Sequence, residues 1–237
     1  KEINQLKKLE LLNVQGNNLS SLPNRLKKLN HMEVINLRKN NFKFFPEVLT
    51  LFPELREIDI SHNPSLNLSK AMDMLAKIKK LDFLYLSGNN LSFLPSEMSG
   101  LTSLEELHLD KNPELDLKQA ISVLVGIESL KILNLWSNDL IEIPSEITLL
   151  KQLNGLVLDD NPDLELKTIL NNLGKLQNLK VLLLRNNSFG SLPENLESLS
   201  GLQVLELSNN TFSEKEKKRI VQALPTTKVI FKKWIVH

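Results

Sequence analysis

The stretch Leu104-Glu105-Glu106-Leu107-His108-Leu109-Asp110-Lys111-Asn112 carries the pattern LxxLxLxxN, and the chain contains nine copies of it. The first is Leu9, Leu12, Val14 and Asn17. Then come Met32–Asn40, Leu55–Asn63, Leu81–Asn89, Leu104–Asn112, Leu130–Asn138, Leu153–Asn161, Leu179–Asn187 and Leu202–Asn210. Every copy ends in asparagine, and successive asparagines are either 23 or 26 residues apart. A fixed period of this length marks a stacked repeat architecture. The LxL pair alternates with variable residues, so its leucines share the inner face of a short strand. Asparagine follows where the chain turns away. Its amide both donates and accepts, so stacked copies predict a ladder that satisfies buried turn groups.

Two repeat types alternate. The 23-residue units continue with Leu22-Pro23, Phe45-Pro46, Leu94-Pro95, Ile143-Pro144 and Leu192-Pro193. Proline ends any preceding helix, and too little chain remains for more than a turn or two. The 26-residue units open on Asn63-Pro64, Asn112-Pro113 and Asn161-Pro162. About ten helix-compatible residues follow, such as Lys70 to Ile78, with Met72, Leu75 and Ile78 at core spacing. After the repeats, Ser213-Glu214-Lys215-Glu216 reads as a capping box. It opens a helix to about Leu224 with Ile220, Val221 and Leu224 facing inward, stopped by Pro225. Lys228–Phe231 reads as a final edge strand. The organisation expected is a single domain over 1–237: an upstream half-repeat remnant at 1–8, repeats over 9–210, and a C-terminal cap over 211–237.

These motifs resemble the leucine-rich repeat superfamily, most closely its 23-residue Leu-Pro-x-x-Leu class with interspersed Asn-Pro-x-Leu-x-Leu units, as in bacterial leucine-rich repeat proteins. The resemblance implies an α/β, right-handed solenoid of about nine repeats, with a concave parallel sheet and convex helices and loops. It implies protein–protein recognition as the usual work.

Composition removes other classes. The chain has no cysteine, which excludes a disulfide scaffold and most structural zinc sites. No apolar run approaches about 18 residues, so no membrane insertion is expected. A net charge of +1 gives no global pull toward nucleic acid. The histidines His31, His62, His108 and His237 have no metal-ligand spacing, and His62 and His108 lie about 10 Å apart in a stacked sheet. Asp159, Asp160 and Asp163 only loosely resemble a calcium loop. Ser87, His108 and Asp110 fall on adjacent strands, but a sheet face offers no oxyanion hole. Without GxGxxG or GxxxxGK[ST], nucleotide binding has no support. No enzyme activity, cofactor or metal is expected.

The outward strand positions form columns across the sheet. Phe83, Tyr85, His108, Trp136, Val157 and Leu183 are predicted to cluster at its centre, and Asp59, Asp110, Asp159, Asp160, Arg38 and Arg185 to frame them as a polar rim. Tyrosine and tryptophan are frequent binding anchors. Because this face is slightly acidic, it disfavours nucleic acid. A basic cluster of Lys215, Lys217, Lys218, Arg219, Lys228, Lys232 and Lys233 marks the cap. The function expected is a non-catalytic module binding a protein partner on the concave face, as in a bacterial surface or secreted host-interaction protein. The alternatives are a self-associating structural protein and the recognition domain of a larger signalling protein or enzyme. A bacterial cell-surface or extracellular location is expected, with the cytoplasm as the alternative.

Overall fold

A computed structural model describes residues 3–232, apart from the side chains of Asn4 and Thr168. Lys233 and His237 lie outside the described residues. The chain packs as two compact units, Lys1–Leu130 and Lys131–His237.

Unit 1 holds strands β1 (Leu11–Asn13), β2 (Val34–Asn36), β3 (Glu57–Asp59), β4 (Phe83–Tyr85) and β5 (Glu106–His108), with helices α1 (Leu68–Leu75) and α2 (Leu117–Leu124). The strands pair in chain order and all are parallel. Unit 2 holds β6 (Ile132–Asn134), β7 (Gly155–Val157), β8 (Val181–Leu183), β9 (Val204–Glu206) and β10 (Lys228–Ile230), also parallel and in order, with α3 (Leu166–Leu173) and α4 (Glu214–Ala223). Each strand is three residues long, because only the LxL segment is extended. Its leucines go inward: Ile35, Leu37, Ile58, Ile60, Leu107, Leu109, Leu156 and Leu158 are all fully buried. Each such side chain contributes about 1.5–3 kcal/mol.

The asparagine ladder forms. Asn63 donates through Nδ2 to the carbonyls of Leu37 (3.1 Å) in the preceding repeat and Ile60 (3.0 Å) in its own. Its Oδ1 accepts the Phe42 amide at 3.1 Å, and its own amide donates to Asn89 Oδ1. In unit 2 Asn161 makes the matching bonds to Leu135 and Leu158. The residue just before each ladder asparagine has positive φ: Gly16, Lys39, His62, Gly88, Lys111, Ser137, Asp160, Asn186 and Asn209. The turn requires left-handed backbone there, yet only two of the nine are glycine.

The 26-residue units carry helices, each of eight residues. The 23-residue units carry only short 3₁₀ turns such as Asn24–Lys28 and Ser96–Gly100, each entered from the proline. Met72 and Leu75 are buried in α1, and Ile78 is buried just beyond its end. Asn67 and Asp116 cap α1 and α2 by accepting amides three residues on.

Two expectations at the cap are corrected. Ser213 does accept the Glu216 amide at 3.2 Å. Glu216 does not complete the box, because its Oε1 instead accepts the Leu192 amide at 2.9 Å. That amide belongs to the Leu-Pro step of the neighbouring repeat and needs an acceptor. Val221 is 49% exposed rather than inward, while Ile220 and Leu224 are buried. Val221 stands about 100° round the helix from Ile220, on the side of α4 that is left exposed.

Candidate functional site

In unit 1, β3, β4 and β5 present their outward residues in register. Glu57, Phe83 and Glu106 form one cross-strand row, and Asp59, Tyr85 and His108 form the next. Tyr85 and His108 stack with ring centroids 4.2 Å apart and planes 28° apart. Glu106 Oε1 holds His108 Nε2 at 2.6 Å, so the imidazole is fixed from two sides. Burial, followed by the charges of Glu57, Glu106 and Asp59, pushes the Tyr85 phenol up to about 12. Burial also pushes Glu57 above the usual carboxylate range, with Asp59 and Glu106 adding to it.

The charged groups divide differently from the expected rim. Asp110 is only 6% exposed, and it accepts the Ser87 hydroxyl at 2.6 Å beneath the face. Asp110 is thus a support for the sheet turn and not a rim group. The same bond shows that Ser87, His108 and Asp110 do come together but not as a relay. The serine donates straight to the carboxylate, and His108 Nδ1 stands 3.8 Å from Asp110. Asp59 remains half-exposed, with its Oδ1 accepting the Ser61 amide at 2.9 Å. Arg38 turns toward the carboxyl ends of the strands, where its Nη2 is 3.0 Å from His62 Nε2. Burial and then the charges of Arg38, Lys111 and Lys39 push His62 below its ordinary value.

In unit 2, a cavity of about 290 Å³ opens on the sheet face between Trp136, Val157, Asp159, Asp160 and Arg185. Trp136 Nε1 donates to Asp160 Oδ2. Asp159 is 2% exposed, which again overturns a rim position. It accepts the Arg185 amide at 2.6 Å and Nε at 2.7 Å. Burial raises the Asp159 pKa even against the Arg185 charge. Asp159 and Asp160 thus both accept from protein donors, Arg185 and Trp136. Leu183 stands beside Val157 in the β7–β8 register. Among the described residues, no group of three acidic or histidine side chains is placed to hold a metal ion. No helix among them is long and apolar enough to cross a membrane.

Some features escape sequence reasoning. Phe44 and Phe93 occupy equivalent places before Leu-Pro-type steps and are 60% and 58% exposed. The third residue of a helix reaches back to that same step. Lys70 lies 5.6 Å over the Phe44 ring, and Gln119 both accepts from and donates to the Leu94 backbone. At the cap Arg219 is not a free surface cation. It binds Glu216 and the carbonyls of Leu192, Pro193 and Glu194. Aligning the 26-residue units on their asparagines would have exposed the recurring polar residue there.

A family model described as leucine-rich repeat matches residues 7–64, and a second of the same description matches residues 80–101 and 178–199. A comparison with curated proteins finds no match. Solved structures with the same fold include TLR13 in a complex with ssRNA13. It is 24% identical with a TM-score of 0.69, over 98% of this chain and 33% of that one. Another is internalin C2 of Listeria monocytogenes, 23% identical with a TM-score of 0.60, over 84% of this chain and 80% of that one. A third is the Toll–Spatzle complex, described as a molecular hub in Drosophila development and innate immunity. It is 19% identical with a TM-score of 0.68, over 96% and 30%. This chain therefore spans about a third of the TLR13 chain and less of the chain from the Toll–Spatzle complex. At these identities the likeness is one of fold. The architecture is a leucine-rich repeat solenoid. Domains of this kind generally mediate protein–protein interaction and are generally non-catalytic.

Proposed function

We propose that the chain is a protein-binding module that engages a protein partner on its sheet face. The observation that carries this reading is the Tyr85–His108 stack, an aromatic pair held rigid on an outward strand surface by Glu106. Rigid aromatics at the middle of a surface lose little entropy on binding and act as anchors. Trp136 and Val157, with the cavity beside them, form the corresponding element in unit 2. Rim charges then set register and on-rate. The acidic rows of unit 1 favour a protein over a nucleic acid, in contrast to the TLR13 complex with ssRNA13. We place the protein at a bacterial surface or outside the cell, the fold shared with internalin C2 being the support.

The test is a paired capture from host and self lysates, read by mass spectrometry. One bait is the native chain. The others carry Tyr85→Ala with His108→Ala, or Trp136→Ala, each checked by circular dichroism. A partner lost with either variant supports the reading, and its retention by both sinks it.

A second reading, self-association, is favoured by the apolar end of unit 1, where Leu6 and Leu11 are 56% and 55% exposed. Sedimentation equilibrium over a hundredfold concentration range decides it. A constant monomer mass removes it.

A further inference from the structure

We propose that the sheet face of unit 1 receives a cationic segment of its protein partner, with lysine or arginine side chains seated over Phe83 and Tyr85 between Glu57, Asp59 and Glu106. This rests on the sheet-face reading above and assigns the chemistry of what binds there.

The argument starts from register. Phe83 stands between Glu57 and Glu106 in one cross-strand row, and Tyr85 stands between Asp59 and His108 in the next. Neighbouring strands are about 4.8 Å apart, so each aromatic ring has a carboxylate directly beside it. Ring faces attract cations, and a flanking carboxylate adds a Coulombic partner at the same spot. All the charged groups that act on the Tyr85 hydroxyl are carboxylates. For Glu57, the charges beside it are two carboxylates and His108, with no lysine or arginine among them. Among the described residues, the charges acting on Tyr85 are thus carboxylates and those acting on Glu57 are carboxylates with His108, so the face is acidic on balance and an incoming ammonium or guanidinium finds complementary charge there.

The cations of these repeats lie elsewhere. Arg38, Lys39 and Lys111 gather around His62 at the carboxyl ends of the strands. This segregation gives the surface a polarity. Basic groups of the partner belong over the strands, and its acidic groups belong toward the Arg38–His62 end. The receptor is also preorganised. Glu106 is tied to His108 at 2.6 Å and Asp59 to the Ser61 amide at 2.9 Å. Little ordering cost then falls on the receptor when the segment arrives.

The experiment uses the full chain and three fluorescein-labelled probes: hepta-arginine amide, hepta-glutamate amide and a twelve-nucleotide oligo-dT. Anisotropy is followed at low and high sodium chloride. The expected result is binding of hepta-arginine alone, weakened about tenfold or more at the higher salt. Glu57→Gln with Asp59→Asn should weaken it about tenfold or more again, since both substitutions keep shape and the Ser61 contact. Glu128→Gln with Glu142→Gln, carboxylates away from this face, should leave it within about twofold. No binding of hepta-arginine, equal binding by the Glu57/Asp59 variant, or comparable binding of hepta-glutamate or oligo-dT each overturns the proposal. Failure here is separable from failure of the parent reading. A captured partner lost with Tyr85→Ala and His108→Ala but kept by the Glu57/Asp59 variant sinks only the cationic assignment. A partner indifferent to every sheet-face variant sinks both.

Discussion

Asn63 illustrates how much one residue type carries. It is fully buried and closes bonds to two repeats at once. Asn63→Ala would strand the Phe42 amide, at about 1–3 kcal/mol, while the Leu37 and Ile60 carbonyls each keep a second donor in Asn40 Nδ2 and Asn89 Nδ2. Asn17 bonds Val14 and Gln15 at an exposed edge, where water replaces the lost partners. Chemical denaturation should therefore show Asn63→Ala to be the more costly by about 1 kcal/mol or more, and equal costs would discount the ladder. Lys39, with φ of 53°, occupies left-handed backbone that a side chain disfavours. Lys39→Gly should raise stability by about 0.5–1 kcal/mol in the same assay, the steric relief exceeding the entropy of glycine. Gly88 shows the converse constraint. Its φ is +61°, and an added Cβ would lie 2.6 Å from the His62 ring. Tyr85 is the only tyrosine, so absorbance at 295 nm reads it alone. The titration should fall near 12, and Glu57→Gln should lower it. With the folded value above the ordinary 10.0, the neutral phenol favours the fold, and that contribution is lost as pH rises from about 10 to about 12.

Between elements, closeness is set by glycine and by polar side chains that reach back one repeat. A Cβ on Gly126 would lie 2.6 Å from Ser99 Cβ, and one on Gly174 would lie 2.4 Å from Ser198 Cβ and 2.7 Å from its carbonyl. The first clash is with a side chain and the second also with backbone. Thermal melts should show Gly126→Ala destabilising and largely rescued by Ser99→Gly. Gly174→Ala should stay destabilised in the presence of Ser198→Gly. Equal rescue would mean that the α3 contact is looser than these distances allow. Glu216 ties α4 to the Leu-Pro step through Leu192 and Arg219. The hydrogen bond from Arg219 is the largest cause that holds its carboxyl down at about 2. Its folded pKa lies below the ordinary 4.5, so the stabilisation is complete above that pH and lost as pH falls toward 2. Protection factors of the α4 amides, which divide out the intrinsic pH dependence of exchange, should fall through that window, and Glu216→Gln should remove most of that fall. A helix insensitive to acid would count against the tie.

At the scale of the molecule, a net charge of +1 conceals segregated fields, with carboxylates over the strands of unit 1 and cations at their carboxyl ends. Repeat stacks hold together mainly through nearest neighbours. Amide exchange in unit 1 should therefore be fastest around Ile3–Leu11, where Leu6 and Leu11 are exposed, and slowest around Ile58 and Leu84, which are fully buried. Uniform protection would argue for one all-or-none unit. Much of this was legible in advance. The LxL alternation and the 23- and 26-residue steps place strands β1 to β9, the helices of the long units and the asparagine ladder, because each depends on local period and side-chain chemistry. They also place Phe83, Tyr85 and His108 side by side, since register follows from repeat phase. Depth and partner choice were not legible. Asp110 and Asp159 fall in an outward column two residues along from that of Asp59, yet both are buried by the groups they bind, Ser87 and Arg185. Glu216 fits a capping box until the Leu192 amide competes for it. Periodicity thus determined by itself which residues share a strand face and which neighbours they meet. Only the packed structure decided which polar groups were drawn out of water, because desolvation and hydrogen-bond competition depend on atoms brought close from other repeats.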